Sequence, residues 1–223
     1  MAEYRHISHG FEPVFDGRSR ILVLGSFPSV LSRRNDFYYG NPKNRFWKVL
    51  AACCDELRVP ETVLQKKALL LAHGIALWDV VESCDVAGSA DASIRNVVPA
   101  RIERILDAAP VREVFANGGT AHALYAKHLQ PRCGLPATRL PSTSPANASY
   151  SLERLIDCWR EALRPAIKPA ADPPSTIRPQ TPGQASSWWS ERRTAAGQTS
   201  GRWSGQPTER AMRNGKRTES RKG

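Results

Sequence analysis

The chain has 223 residues, 41% of them hydrophobic and 24% charged, with a formal net charge of +11. That length supports one or two domains with a substantial core. No apolar run approaches the roughly 18 residues of a membrane span, and the opening MAEYRHISHGFEP lacks the apolar centre of a secretion signal, so a cytoplasmic chain is expected.

The charge is unevenly spread. From Lys168 onward the chain carries eleven Lys/Arg against four Asp/Glu, so most of the excess sits in the last quarter. Residues 165–223 are rich in Pro, Gly, Ser, Thr, Gln and Arg, and almost free of Leu, Ile and Val. Such a segment buries too little apolar area to offset its ordering entropy, so a disordered basic tail is expected there. Trp188, Trp189 and Trp203 lie beside arginines in it, a pairing that also suits stacking on bases. Residues 1–164 form the expected folded domain.

Within that domain two patterns alternate. Short β-forming apolar runs occur at 20–25 (RILVLG), 75–81 (IALWDVV), 111–116 (VREVFA) and 138–140 (TRL). Helix-period segments fall at 44–54, 60–73, 99–108, 120–129 and 152–163. Ser151 reads as an N-cap with Glu153 in the first turn, and His73-Gly74 as a helix end. Strands alternating with helices predict an α/β domain with a parallel sheet and helices on both faces. In such sheets ligands bind beyond the carboxyl ends of the strands.

Polar residues collect at those ends. Gly25-Ser26-Phe27-Pro28-Ser29 follows the first run, without the glycine pattern of a dinucleotide or phosphate loop. Asp79 stands in the otherwise apolar second run and needs a partner if buried. Asn117-Gly118-Gly119-Thr120 follows the third and opens a helix, where backbone amides suit an anion. Leu140-Pro141-Ser142-Thr143-Ser144-Pro145-Ala146-Asn147 follows the fourth as a donor-rich loop. Each also fits an ordinary turn or cap. Together with the aromatic lead-in FYYGNPKN (37–44), they point to a site.

Other chemistries are poorly supported. The five cysteines are odd in number and form no C-x-x-C pair, which predicts free thiols. The five histidines have no metal-ligand spacing, so no metal is expected. No nucleophile elbow is present.

The motifs GSFPS (25–29), FYYGNPKNRFW (37–47), GIALWDVVESC (74–84), FANGGTA (115–121) and LPSTSPANASY (140–150) together resemble the hypoxanthine-DNA glycosylase branch of the uracil-DNA glycosylase superfamily. The resemblance covers about residues 10–163. It implies a three-layer α/β domain around a four-stranded parallel sheet. It also implies monofunctional hydrolysis of the N-glycosidic bond of a deaminated base in DNA, hypoxanthine first, without metal or cofactor, by a monomer active in base excision repair. Much of the superfamily positions its water with a first-motif Asp or Asn. That place is Ser26 here, and in the resembled branch the role falls on Asn44. The base-stacking ring corresponds to Tyr39, supported by Phe27, and the base-reading position of uracil enzymes falls on Asp79. The loop bearing Ser142, Thr143, Ser144 and Asn147 takes the place of the DNA-gripping loop. Asn41 stands where the branch often has His, and Ser29 where it often has Gly.

The residues suit such chemistry. A base is reached only after flipping out of the stack, and aromatic rings reward it with about 1–3 kcal/mol of stacking. Backbone N–H groups around Ser26 and Phe27 are candidate donors to the leaving base, and the Asn44 carbonyl oxygen is expected to face the water and the developing cation. An ionised Asp79 accepts but does not donate, which suits the lactam N–H of hypoxanthine and disfavours adenine N1. Arg33, Arg34, Lys43 and Arg45 flank the expected mouth as phosphate contacts. Two alternatives remain at this level: a mismatch-directed uracil-DNA glycosylase, and a nucleic-acid-binding protein with a decayed site, given Ser26 and the missing His.

Overall fold

A computed structural model describes residues 4–87 and 93–167. The expected tail lies outside the described residues from 168 onward. Residues 165–167 continue the last helix instead of opening a tail.

Four strands form the central parallel sheet: β2 (Ile21–Gly25), β3 (Ile75–Asp79), β6 (Glu113–Asn117) and β7 (Ala137–Leu140), in the order β3-β2-β6-β7. All five residues of β2 and of β3 are buried. A strand covered on both faces reads as a continuous apolar run, which is why these two were legible in the sequence. The register pairs Gly25 with Asp79 and Asn117 with Leu140, so the polar motifs after the strands share one sheet edge.

A second sheet is antiparallel and was not expected. It joins β1 (Arg5–Ser8), β4 (Val81–Val86) and β5 (Arg95–Pro99) in the order β1-β4-β5. The expected strand 75–81 divides at Val80, whose N–H still bonds Gly25 O, and the chain then leaves the parallel sheet. β5 takes the start of the expected helix 99–108. What remains of that helix is the single turn α4 (Glu103–Leu106).

The helices are α1 (Val30–Arg34), α2 (Phe46–Cys53), α3 (Val63–Ala72), α5 (Gly119–His128), α6 (Gln130–Cys133) and α7 (Leu152–Ile167). α3 starts later than expected because Thr62 and Gln65 form a reciprocal capping box. It ends at His73, with Gly74 at φ +65°. Ser151 caps α7 through Arg154 N–H, and that helix buries Leu155, Trp159 and Leu163 while packing on α2. Trp159 Nε1 donates to Pro141 O at 2.9 Å, which pins the start of the Pro141–Asn147 loop to α7.

The five cysteines are free, four of them buried. Burial pushes the thiols of Cys53 and Cys54 up to about 12 and that of Cys84 to about 11. Among the described residues no helix is long and apolar enough to cross a membrane.

Candidate active site

A cleft of about 380 Å³ opens at the carboxyl edge of the parallel sheet. Gly25 to Ser29, Tyr38, Tyr39, Asn41, Asn44, Asp79, Asn117, Ser142 and Ser144 line it. It therefore gathers Ser26, Phe27, Tyr39, Asn44, Asp79, Ser142 and Ser144 from the sequence expectations. Thr143 and Asn147 are not on its wall.

The floor is set by Gly25. A Cβ there would lie 2.2 Å from Asp79 Oδ1 and 3.1 Å from the Tyr39 hydroxyl. Glycine is thus required by the close approach of two side chains. Asp79 is buried, and its Oδ2 accepts from His9 Nε2 at 3.0 Å. Ser26, at the end of β2, is also buried. Ser29 adopts φ −63° and caps α1 through Ser32 N–H, so a side chain is accommodated there without strain.

The aromatic lead-in separates into core and wall. Phe37 and Tyr38 are buried, and Phe37 stacks on Trp47 at 6.0 Å. Burial beside Asp79 holds the Tyr38 phenol far above its usual range. Tyr39 sits at φ +52°, a conformation unfavourable for a side-chain-bearing residue. Its ring lies 3.8 Å from that of Phe46 at 15°. Phe46 therefore covers one face of the Tyr39 ring. The Arg33 guanidinium lies 5.7 Å from the Phe27 ring centroid.

A directed hydrogen-bond chain crosses the far wall. Thr143 N–H donates to Asn117 Oδ1 at 3.0 Å, so the NH₂ of Asn117 must be the donor to the Tyr39 hydroxyl (3.0 Å) and to Thr143 Oγ1 (2.9 Å). The Thr143 hydroxyl hydrogen then goes to Asn44 Oδ1 at 3.0 Å. Phe46 N–H donates to the same oxygen at 3.0 Å. Two backbone N–H groups, which can only donate, thereby fix the orientation of both amides. The carbonyl oxygen of Asn44 is occupied twice, and its NH₂ is left for the cleft. The sequence expectation had the carbonyl oxygen facing the water.

The Pro141–Asn147 loop is internally braced. Thr143 is fully buried, so its hydroxyl serves the chain just described and is not displayed to a phosphate. Asn147 Nδ2 donates to Ser142 O at 2.8 Å. Ser142 Oγ and Ser144 Oγ accept N–H bonds from Ser144 and Ala146, which leaves their hydroxyl hydrogens free to donate. Arg45 also departs from expectation. Its guanidinium donates to the carbonyls of Ser144 (2.7 Å), Asn147 (2.9 Å) and Tyr150, so it clamps the loop instead of facing solvent. Arg34 and Lys43 are exposed beside the mouth. Gly118, at φ +100°, lets this loop approach α5: a Cβ there would meet Ser142 Cβ at 2.9 Å.

Two residues at the site had been given no role beforehand. Asn117 was named only as part of the polar stretch that closes the third run. His9 carried no local signal, because only the pairing of β1 with β4 brings it to Asp79.

The sequence model described as the uracil DNA glycosylase superfamily matches residues 12–164, which hold every cleft-lining residue named above. The chain belongs to the uracil DNA glycosylase superfamily. A hypoxanthine DNA glycosylase of Methanosarcina acetivorans is 33% identical over 159 residues, 71% of this chain and 99% of the relative. One from Methanosarcina barkeri is 31% identical over 155 residues, 70% and 97% of the two chains. A solution NMR structure from Methanosarcina acetivorans, described as a candidate uracil DNA glycosylase, superposes with a TM-score of 0.61 at 32% identity, covering 70% of this chain and 96% of the other. The superfamily match begins after β1 and His9, so that edge strand and the histidine lie outside it.

Proposed function

We propose that this superfamily member is a monofunctional DNA glycosylase that hydrolyses the N-glycosidic bond of deoxyinosine, releasing hypoxanthine in base excision repair. The relatives named as hypoxanthine DNA glycosylases support that substrate over uracil. The observation that supports the reading is the Asp79 carboxylate over Gly25 in the cleft, a buried acceptor at the carboxyl edge of the sheet.

A flipped hypoxanthine enters between the Tyr39 and Phe27 rings. Asp79 accepts its lactam N–H, and adenine, with an acceptor at that position, is refused. The Ser26 hydroxyl and the backbone N–H groups of Ser26 and Phe27 face the leaving base as its negative charge develops. The Asn44 NH₂ holds the attacking water through one lone pair and leaves the other for the sugar carbon. None of the described residues lining the cleft is a lysine, so no amine is at hand to displace the base covalently. Water is the nucleophile, and the enzyme acts as a cytoplasmic monomer without metal or cofactor. Ser142 and Ser144 donate to DNA phosphates, with Arg34 and Lys43 adding long-range attraction.

The test is direct. Oligonucleotides carrying one deoxyinosine or one deoxyuridine, single-stranded or paired, are incubated with the protein and cleaved at abasic sites with alkali. Cleavage at deoxyinosine that is lost in Asn44→Ala is expected. An intact strand with every substrate refutes the reading, and cleavage at deoxyuridine alone transfers it to uracil.

A further inference from the structure

The imidazole of His9 is buried to 1% exposure, and Asp79, its partner at 3.0 Å, to 6%. The histidine comes from the segment after β1, outside the superfamily match. Its N–H bonds Glu82 O at 2.7 Å, which fixes the backbone against β4. The ring is enclosed by Phe11 (4.5 Å), Tyr38 (5.9 Å) and Phe27 (6.4 Å). No packing need requires a nitrogen heterocycle in such a cage. Its Nδ1 is buried without a partner. The tautomer with hydrogen on Nε2 leaves no buried N–H unpaired, and it is the tautomer a carboxylate demands.

We propose that His9 is a specificity-determining positioning residue that acts through Asp79. The inference rests on the deoxyinosine reading above and deepens it. By donating Nε2–H to Oδ2, His9 satisfies the inner oxygen of a buried carboxylate and fixes the carboxylate's orientation. Asp79 then meets the base as an acceptor through the oxygen over Gly25. Without that donor Oδ2 is left buried and unpaired, the carboxylate is no longer held, and selectivity for the lactam N–H falls.

Among the described residues His9 is the one ion-pair partner of Asp79. The other ionisable groups grouped here are the phenol of Tyr39 and the carboxylates of Glu12 and Glu82, which act on the Tyr38 phenol together with Asp79. The Tyr38 hydroxyl donates to Glu12 O at 3.1 Å, and His9 Nε2 is the donor that meets Oδ2.

The experiment compares the full-length wild type with His9→Phe and His9→Gln on deoxyinosine and deoxyadenosine oligonucleotides. In His9→Phe, base release from deoxyinosine falls about 10- to 100-fold at neutral pH. The preference for deoxyinosine over deoxyadenosine narrows. His9→Gln, whose amide can donate, restores most of the rate and the selectivity. In an Asp79→Asn background, His9→Phe has no further effect on selectivity. Nitrogen NMR of the wild-type imidazole, which needs no variant, shows hydrogen on Nε2. An unchanged rate and unchanged selectivity in His9→Phe, or a wild-type hydrogen on Nδ1 alone, overturns the inference. A wild type that releases no hypoxanthine refutes the function itself, a result distinct from both.

Discussion

Thr143 Oγ1 donates to Asn44 Oδ1 across 3.0 Å, and this bond, with that from Phe46 N–H, turns the Asn44 NH₂ toward the cleft. Asn44→Asp tests the consequence. If Asn44 served as acceptor or base, a carboxylate would do as well or better. With a donor required, Asn44→Asp loses roughly 100- to 1000-fold, as does Asn44→Ala. Single-turnover release of hypoxanthine measures both, and wild-type rates in Asn44→Asp would contradict the donor role.

Thr143→Val removes one hydroxyl from the middle of the chain and leaves the Asn117 NH₂ short of an acceptor. A loss of about 1–3 kcal/mol in stability is expected, along with slower base release. The dependence of DNA binding on salt should stay unchanged, because Thr143 is fully buried. Thr143→Ser keeps the hydroxyl and restores both properties. Chemical denaturation and salt titrations separate these effects.

Gly25→Ala places a methyl 2.2 Å from Asp79 Oδ1. The clash is with the floor of the cleft, so activity is lost even in molecules that remain folded. Destabilisation of about 1–3 kcal/mol is expected from overpacking. Thermal melts and base-release assays on the same preparation report the two terms.

Arg45 and Lys43 are two positions apart and predict opposite phenotypes. Lys43→Ala lowers the slope of log affinity against log salt by about one. Arg45→Lys loses the planar fork that holds the carbonyls of Ser144 and Asn147. It weakens DNA binding with little change in that slope, since the guanidinium is engaged within the protein.

The buried thiols predict alkaline sensitivity. Burial holds Cys53 and Cys54 near 12 against an ordinary 9.0. The unfolded chain therefore releases thiol protons first as pH rises. Stability is full below about pH 9 and is lost between there and pH 12. A melting temperature that is flat from pH 8 to 11, with Cys53→Ala and Cys54→Ala behaving identically, would contradict this.

Much of the cleft was readable before the fold was known. The runs at β2 and β3 are uniformly apolar because both faces are covered, and the polar residues that follow them are conspicuous for that reason. The edge of the antiparallel sheet was not readable. β1 is four residues long and largely exposed, so it carries neither a continuous apolar run nor a clean alternation. The helix expected at 99–108 failed at its start, where Val98 and Pro99 pair with Ser83 and Val81 of β4, as a β-branched residue favours.

By itself the sequence determined an α/β domain with polar groups, Ser26 and Asp79 among them, at one sheet edge, and the motif resemblance added Tyr39 and Asn44. Side-chain type and strand periodicity are local properties, and local order suffices to state them. The tertiary structure alone decided polarity and partnership. Asn44 faces the cleft with its amine because a threonine about a hundred residues away and a nearby backbone N–H occupy its oxygen. Arg45 serves the loop and not the surface, and Asp79 is held by a histidine from the far end of the chain. Hydrogen bonds between segments distant in sequence have no period and no local composition, so they become visible only once the chain has folded.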